Sequence, residues 1–538
     1  MVAVRTLVAL AGLVVLASVV PAVALADRES PDRPVAAVEG AAVSSAAPPA
    51  LRKAGSTVGG PAGANGSVAV RQRVTYRLMP NESGVIGMTV SYRADANVST
   101  IIAYQYPHAT VVESTGFTRQ PNGRWLWNGT TPEPSLTYRV RVNRSGPTFE
   151  GYGWVDTGSW ALANPRTAFA YYNSTASDWA YSWDRGAEVD RRTSVAGAGY
   201  AGPAVVYLGP HETYNATLGE TRLRVVSPAA ANDSARSRAV AALSNASSQL
   251  RVGGRTNAVT LFLAPDPIRS GGLTVDGAGD TQDVWVSASA PVAPPENVWI
   301  HEYVHTRQSF TLGPRMRWFS EASASYYAGL LSVRQGLDGR DGFERFRAYL
   351  NTTADETVLT NESTWSTQYT PYRHGARTLA AMDARIRDQT DDNRTLQTVF
   401  RRLNAHDGVV TFDDFAAVVG NVTGTDWTPW LDAHVAGTDD VSVPDTPYAY
   451  TTVRSGSDAD GDGLTDSAER AHGTHPFARD TDGDGVPDGR EVERGSDPTS
   501  PDTDDDGLPD GVALLLGIAS DTRGGTGTAQ SVAVGDVR

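Results

Sequence analysis

Two histidines separated by three residues, His301 and His305, bracket a carboxylate in the run His301-Glu302-Tyr303-Val304-His305. On a helix, positions four apart lie one above the other, so both imidazoles can face one divalent metal. Zn²⁺ favours such a tetrahedral nitrogen and oxygen set. Glu302, between the two, stands where it can take a proton from water that the ion has made acidic, and is the candidate general base. Val298, Trp299, Ile300, Tyr303 and Val304 make the segment apolar enough to be buried, and Pro294-Pro295-Glu296 reads as its helix start. Two histidines on so apolar a helix would each need another partner if no metal were bound.

A catalytic site of this kind needs a third protein ligand and leaves the fourth position to water. The best candidate is Glu321, in Trp318-Phe319-Ser320-Glu321-Ala322-Ser323-Ala324-Ser325-Tyr326-Tyr327, where small residues allow this helix to approach the first closely. Here the chain resembles the gluzincin peptidases, in particular the M1 aminopeptidase and M61 glycyl aminopeptidase families, whose second helix carries a Trp-x-x-Glu segment. The resemblance implies that Glu321 is the third zinc ligand. It also implies a thermolysin-like, mainly helical or α+β catalytic domain, and hydrolysis of peptide bonds in a peptide or protein substrate. Glu321 follows His305 at a few residues less than is usual in those families, so the connection must be tight.

Downstream, Tyr369-Thr370-Pro371-Tyr372-Arg373-His374-Gly375 is similar to the Tyr-x-x-Gly segment of M1 enzymes, whose tyrosine donates to the oxyanion of the tetrahedral intermediate. By position Tyr372 takes that role, with Tyr369 in reserve at the start of a helix from Ala376 to Asp388. A placed donor there is worth about 3 kcal/mol in the transition state. His374 reads as a surface histidine. The M1 Gly-x-Met-Glu-Asn segment, whose glutamate holds the substrate's free amino group, has no match in Gly272 to Asp280; Asp276 and Asp280 are the acids that could substitute. Exopeptidase and endopeptidase specificity therefore both stay open. The resemblance covers roughly residues 233 to 437.

A second metal chemistry lies further on. Asp458, Asp460, Asp462, Asp466 and Glu469 fall at positions one, three, five, nine and twelve of a calcium loop, with Gly463 at its turn, which is the EF-hand ligand order. The pattern recurs 22 residues later as Asp480, Asp482, Asp484, Asp488 and Glu491, and again as Asp502, Asp504, Asp506 and Asp510, where Ala513 replaces the bidentate glutamate and weakens the site. The spacing and the linkers Gly473-Thr474-His475-Pro476 and Gly495-Ser496-Asp497-Pro498 resemble bacterial thrombospondin type 3 repeats more than paired EF-hands. Without Ca²⁺ these carboxylates repel one another, so binding should couple to folding. An acidic disordered tail would not repeat its ligands so regularly.

The elements that must position these residues follow from pattern and composition. A chain of 538 residues is too long for one core. Residues 1–26 read as a signal peptide: Arg5, an apolar stretch, then Ala24-Leu25-Ala26 before Asp27. Residues 27–67, rich in Ala, Pro, Gly and Ser, read as a flexible linker or pro-segment. Residues 68–225 carry short β-branched and aromatic runs between turn signals and predict an antiparallel β-sandwich. Residues 226–440 hold the catalytic unit, 455–513 the calcium repeats, and 514–538 a tail.

The formal net charge is −15 with no basic run, which excludes polyphosphate backbones as partners. Lys53 is the only lysine among 46 basic residues, a bias shared with acidic proteins of salt-loving microbes. Cysteine is absent, so neither disulfides nor thiolate metal sites can form. Asn-x-Ser/Thr sequons, among them Asn81, Asn97, Asn128, Asn173, Asn215, Asn245 and Asn421, are compatible with a glycosylated protein outside the cell or associated with its envelope. The competing reading is a cell-surface calcium-binding structural or interaction protein with an inert peptidase-like domain.

Overall fold

The computed structural model describes residues 68–517, apart from 107, 146–149, 166, 183–186, 230, 232, 255, 278–279, 352–356 and 452–455. The signal peptide, the linker with Lys53, and all of the tail beyond 517 lie outside the described residues.

The N-terminal unit is built of several β-sheets. Val70–Arg77 alternates buried and exposed side chains, as a strand with one face on a core must. It lies between Val85–Ala94 and Val189–Ala196 in a sheet completed by Ser135–Arg141 and Ala109–Thr115. A second sheet orders Asp178–Tyr181, Phe169–Asn173, Val98–Ala103, Trp125–Trp127 and Phe117–Arg119. The two share one core, in which Tyr92 sets its ring edge-on to Phe117 and Phe169 at 5.5 and 5.1 Å.

Two expectations need correction here. The unit is not wholly antiparallel, because Val189–Ala196 runs parallel to Val70–Arg77. The boundary at 225 also moves, since the hairpin His211–Leu218 and Thr221–Pro228 leaves this unit and joins the next sheet through parallel pairing of Thr221–Pro228 with Ala258–Ala264. Leu218, Leu223 and Val225 are buried with Leu243 of helix α1 (Asp233–Gln249) and with Leu250 just past its end. An alternating strand reads the same whichever sheet it joins; the apolar face of α1 decides it.

That sheet orders His211–Leu218, Thr221–Pro228, Ala258–Ala264, Thr281–Ser287 and, at its edge, Gly272–Asp276. Ala258–Ala264 and Thr281–Ser287 are parallel and buried on both faces, hence their continuous apolar runs, whereas the edge strand is antiparallel. Asp283, fully buried on a central strand, accepts the amides of Ala204 and Val205 at 2.7 Å each and so ties the two units together. Burial pushes its carboxyl up to about 6, against the pull of those donors.

Helices cover the sheet. Helix α2 (Val298–His305) begins three residues later than Pro295, because Asn297 caps it by accepting the amide of Ile300. Helix α3 (Trp318–Val333), α4 (Gly339–Leu350) and α5 (Thr370–Gln389) pack with it in one core. The small residues of α3 meet α5 most closely: a Cβ on Gly375 would lie 2.6 Å from that of Ala322. α5 starts at Thr370 rather than Ala376, which places Tyr372 in its first turn.

The repeats are loops that each lead into a short helix, Asp466–His472, Asp488–Arg494 and Asp510–Leu516, each closed by a left-handed glycine, Gly473, Gly495 or Gly517. The first unit rests on α4: Phe477 is fully buried, and its ring and that of His475 lie 5.8 and 5.3 Å from Phe343.

Candidate metal centre

The cap that starts α2 also anchors it, since buried Asn297 donates to Ser332 Oγ on α3 at 3.0 Å. With the two helices held together, His301, His305 and Glu321 converge. His301 Nε2 and His305 Nε2 lie 3.3 and 3.2 Å from Glu321 Oε2 and 3.2 Å from each other. Ligands of a tetrahedral ion with bonds of about 2.0–2.1 Å stand about 3.3 Å apart, so the triangle matches that donor set with one corner left over.

His305 Nδ1 faces Gln308 Oε1 at 3.0 Å, and Gln308 is oriented by donating from Nε2 to Ser320 O and accepting from Ser320 Oγ. An amide oxygen only accepts, so Nδ1 carries a proton, and Nε2 is the nitrogen that the neutral ring could offer to a cation. Burial alone would raise the Glu321 carboxyl, but His305 and His301 outweigh it and hold it well below the usual range. The tight connection foreseen between the helices is a turn followed by Thr311–Leu312, which pairs with Val409–Val410.

Glu302 lies against the edge strand and within electrostatic reach of Tyr372. It is fully buried; Oε2 accepts from Thr274 Oγ1 at 2.8 Å, while Oε1 has no hydrogen-bond partner among the described residues. A buried carboxylate oxygen left so is costly unless a donor reaches it. Gly272 permits the close approach, since a Cβ there would lie 2.6 Å from Glu302 Cγ. Tyr372 stacks on the His301 ring, with centroids 5.6 Å apart and planes within 5°, and its hydroxyl hydrogen-bonds Glu321. Burial, reinforced by Glu321 and Glu302, pushes its pKa well above the ordinary value, so it remains a donor. Tyr369 packs edge-on against Tyr372 at 6.0 Å.

Other expected residues lie elsewhere. Asp276 accepts from Gln282 Nε2 and Asp280 from Asn257 Nδ2, and neither is among the residues that converge at the metal cluster. His374 is half-buried rather than on the surface, and burial lowers its pKa. Two residues escaped the sequence reading. Thr274 holds Glu302. Arg269, almost fully buried, lies over the Trp285 ring at 4.8 Å and donates to Ser270 O and Gly272 O at 3.0 Å, bracing the turn into the edge strand. Burial lowers it to about 10, against the pull of Glu302. No local motif marks either one.

The acidic repeats interlock rather than close as separate EF-hand loops. Asp458, Asp460 and Asp462 converge, as do Asp480, Asp482 and Asp484, and Asp502, Asp504 and Asp506. A further group joins Asp484 and Glu491 of one unit to Asp510 of the next, and Asp462 and Asp484 accept the amides of Gly489 and Gly511 across the unit boundary. The position-nine residues Asp466, Asp488 and Asp510 each also accept a backbone amide from their own loop. Glu469 is fully buried, and neither of its oxygens has a hydrogen-bond partner among the described residues. Oxygen-rich clusters with an orphaned carboxylate fit a hard cation such as Ca²⁺.

Residues 458–477 and 480–501 match the family model of the bacterial TSP3 repeat, which covers the first two units and stops short of the third. No curated protein matches the chain. Among solved structures, similarity extends to an aminopeptidase N family protein from Idiomarina loihiensis at 14% identity, over 69% of this chain and 77% of that one, with a TM-score of 0.47. An M1 zinc metallopeptidase variant from Deinococcus radiodurans bound to a Tyr-Ser-Ala substrate aligns at 15% identity over 70% and 95%, TM-score 0.43. Legionella pneumophila aminopeptidase A in complex with aspartic acid aligns at 13% identity over 69% and 50%, TM-score 0.41.

Proposed function

We propose that this protein is an exported zinc metallopeptidase, with a thermolysin-like catalytic domain behind a β-sandwich and a calcium-braced repeat tail at the cell surface or outside it. The observation that carries the reading is the convergence of His301, His305 and Glu321 within 3.3 Å of one another, beside a buried Glu302 with one oxygen unpartnered among the described residues. His301, His305 and Glu321 would hold Zn²⁺. When bound, the ion supplies Lewis acidity, making a water acidic and polarising the scissile carbonyl.

The chain's own groups then divide the work. Glu302 Oε1 takes the proton of the attacking water, while Thr274 holds Oε2 so that the carboxylate cannot turn away. The hydroxyl forms its bond to the carbonyl carbon, and the Tyr372 hydroxyl donates to the oxygen as it becomes anionic. Glu302 returns the proton to the departing amine as the C–N bond breaks. Burial of Glu302, Glu321 and Tyr372 keeps bulk water from screening these interactions.

The test is digestion of a peptide mixture at high salt by the purified protein, read by mass spectrometry, with Glu302→Gln as control. The variant should keep its zinc and lose cleavage by roughly 10²–10⁴-fold. Equal cleavage by both proteins would sink the mechanism. Zinc uptake without cleavage of any peptide by the unaltered protein would favour the calcium-binding interaction protein instead.

A further inference from the structure

Beside His301 a small cavity of about 50 Å³ runs between α3, α4 and the start of α5. Its walls include the rings of Tyr349, Tyr369 and Tyr372, and it holds one acid, Glu296, and one base, Arg373. Glu296 lies in the connection that leads into α2, five residues before His301. Its side chain is 23% exposed, and among the described residues it accepts no hydrogen bond; Arg373 Nη2, at 3.8 Å, is too far to donate one. Arg373 stands at the mouth with its side chain 52% exposed, its guanidinium 5.8 Å from the Tyr349 ring centroid. A desolvated carboxylate among aromatic faces, with a loosely placed cation at the entrance, is a site that a compact positive charge would complete through a charge-assisted hydrogen bond and cation–π contact. Burial raises the Glu296 carboxyl above its ordinary value, which is the cost such a partner would offset. An anion drawn by Arg373 would instead meet Glu296 behind it.

We propose that this cavity is a substrate subsite and that Glu296 is a specificity-determining residue, which recognises a positively charged nitrogen of the substrate next to the scissile bond. This rests on the metallopeptidase reading and narrows its substrate class. The nitrogen has two sources, a lysine or arginine side chain or the terminal ammonium, and they part experimentally.

Binding of peptides with lysine or norleucine at the positions flanking a cleavable bond, each with a free or acetylated N-terminus, would be measured by calorimetry. The proteins are zinc-loaded Glu302→Gln and the double variant that adds Glu296→Gln. The single variant should prefer a cationic peptide by roughly tenfold, and the double variant should lose that preference. Loss on replacing lysine assigns the site to a side chain; loss on acetylation assigns it to the terminus. A preference that survives Glu296→Gln, or none in the single variant, overturns the proposal. Glu296→Asp, which keeps the charge, should restore part of the preference and guards against a mere folding defect. Because binding is the readout, a failed peptidase mechanism would appear separately, as continued cleavage by Glu302→Gln.

Discussion

Tyr372 is a phenol wedged between two carboxylates and the ring of a metal-ligand candidate, and its chemistry follows from that position. Burial and the negative charges of Glu321 and Glu302 keep its proton in place far above neutral pH, so it can donate but not act as a base. Tyr372→Phe should therefore lower kcat by about 10²–10³-fold with zinc content unchanged, as removal of a single oxyanion donor does. Steady-state kinetics with metal analysis would check this; an unchanged kcat would reduce the residue to a packing partner of His301. Its candidacy was legible in the sequence because a motif surrounds it. Thr274 and Arg269 were not, because a lone threonine and a lone arginine in a loop-to-strand stretch carry no spacing signal until the sheet folds back on α2.

The edge strand Gly272–Asp276 is the element that decides whether Glu302 is a base or merely a buried acid. It approaches so closely at Gly272 that a methyl group would stand 2.6 Å from Glu302 Cγ and 2.9 Å from Oε1. Either the strand or the carboxylate must then move, and small misplacements of a catalytic group are expensive. Gly272→Ala should cost roughly 10²-fold in kcat/KM while far-ultraviolet dichroism stays native; full activity would show that the strand yields freely. The helices, in contrast, followed from their own patterns, except that α2 and α5 begin where Asn297 and Thr370 place them.

At the scale of the molecule the repeats and the helical unit are in mechanical contact. Phe477 of the first repeat is buried against Phe343 on α4, and Tyr349 of the same helix donates to the backbone oxygen of Tyr372 at 3.1 Å. Burial and neighbouring carboxylates push Glu469 and Glu491 up to about 9 in the ion-free repeats. A carboxyl raised in this way stabilises the folded ion-free state fully below its ordinary value of 4.5, and that stabilisation is lost as pH rises through 9. Calcium should thus raise the Tm more at pH 9 than at pH 6, as scanning calorimetry with and without a calcium chelator would show; an equal increment would count against cation binding at these carboxylates. Phe477→Ala should destabilise the first repeat by about 3–5 kcal/mol and lower its melting transition even with calcium present.

The sequence alone determined the local chemistry: two histidines one helical turn apart, a glutamate between them, acids at calcium-loop spacing, and the order of β-rich, helical and repeat segments. These are properties of short spans, where residue type and period suffice. Only the tertiary structure decided what depends on contacts between distant spans. It set Glu321 against both histidines, laid Gly272 and Thr274 along Glu302, gave the hairpin at 211–228 to the second sheet, and joined acids of successive repeats. It also put Glu296 beside the candidate site. Each of those outcomes turns on which apolar faces bury one another, and an alternating strand or an amphipathic helix does not name its partner.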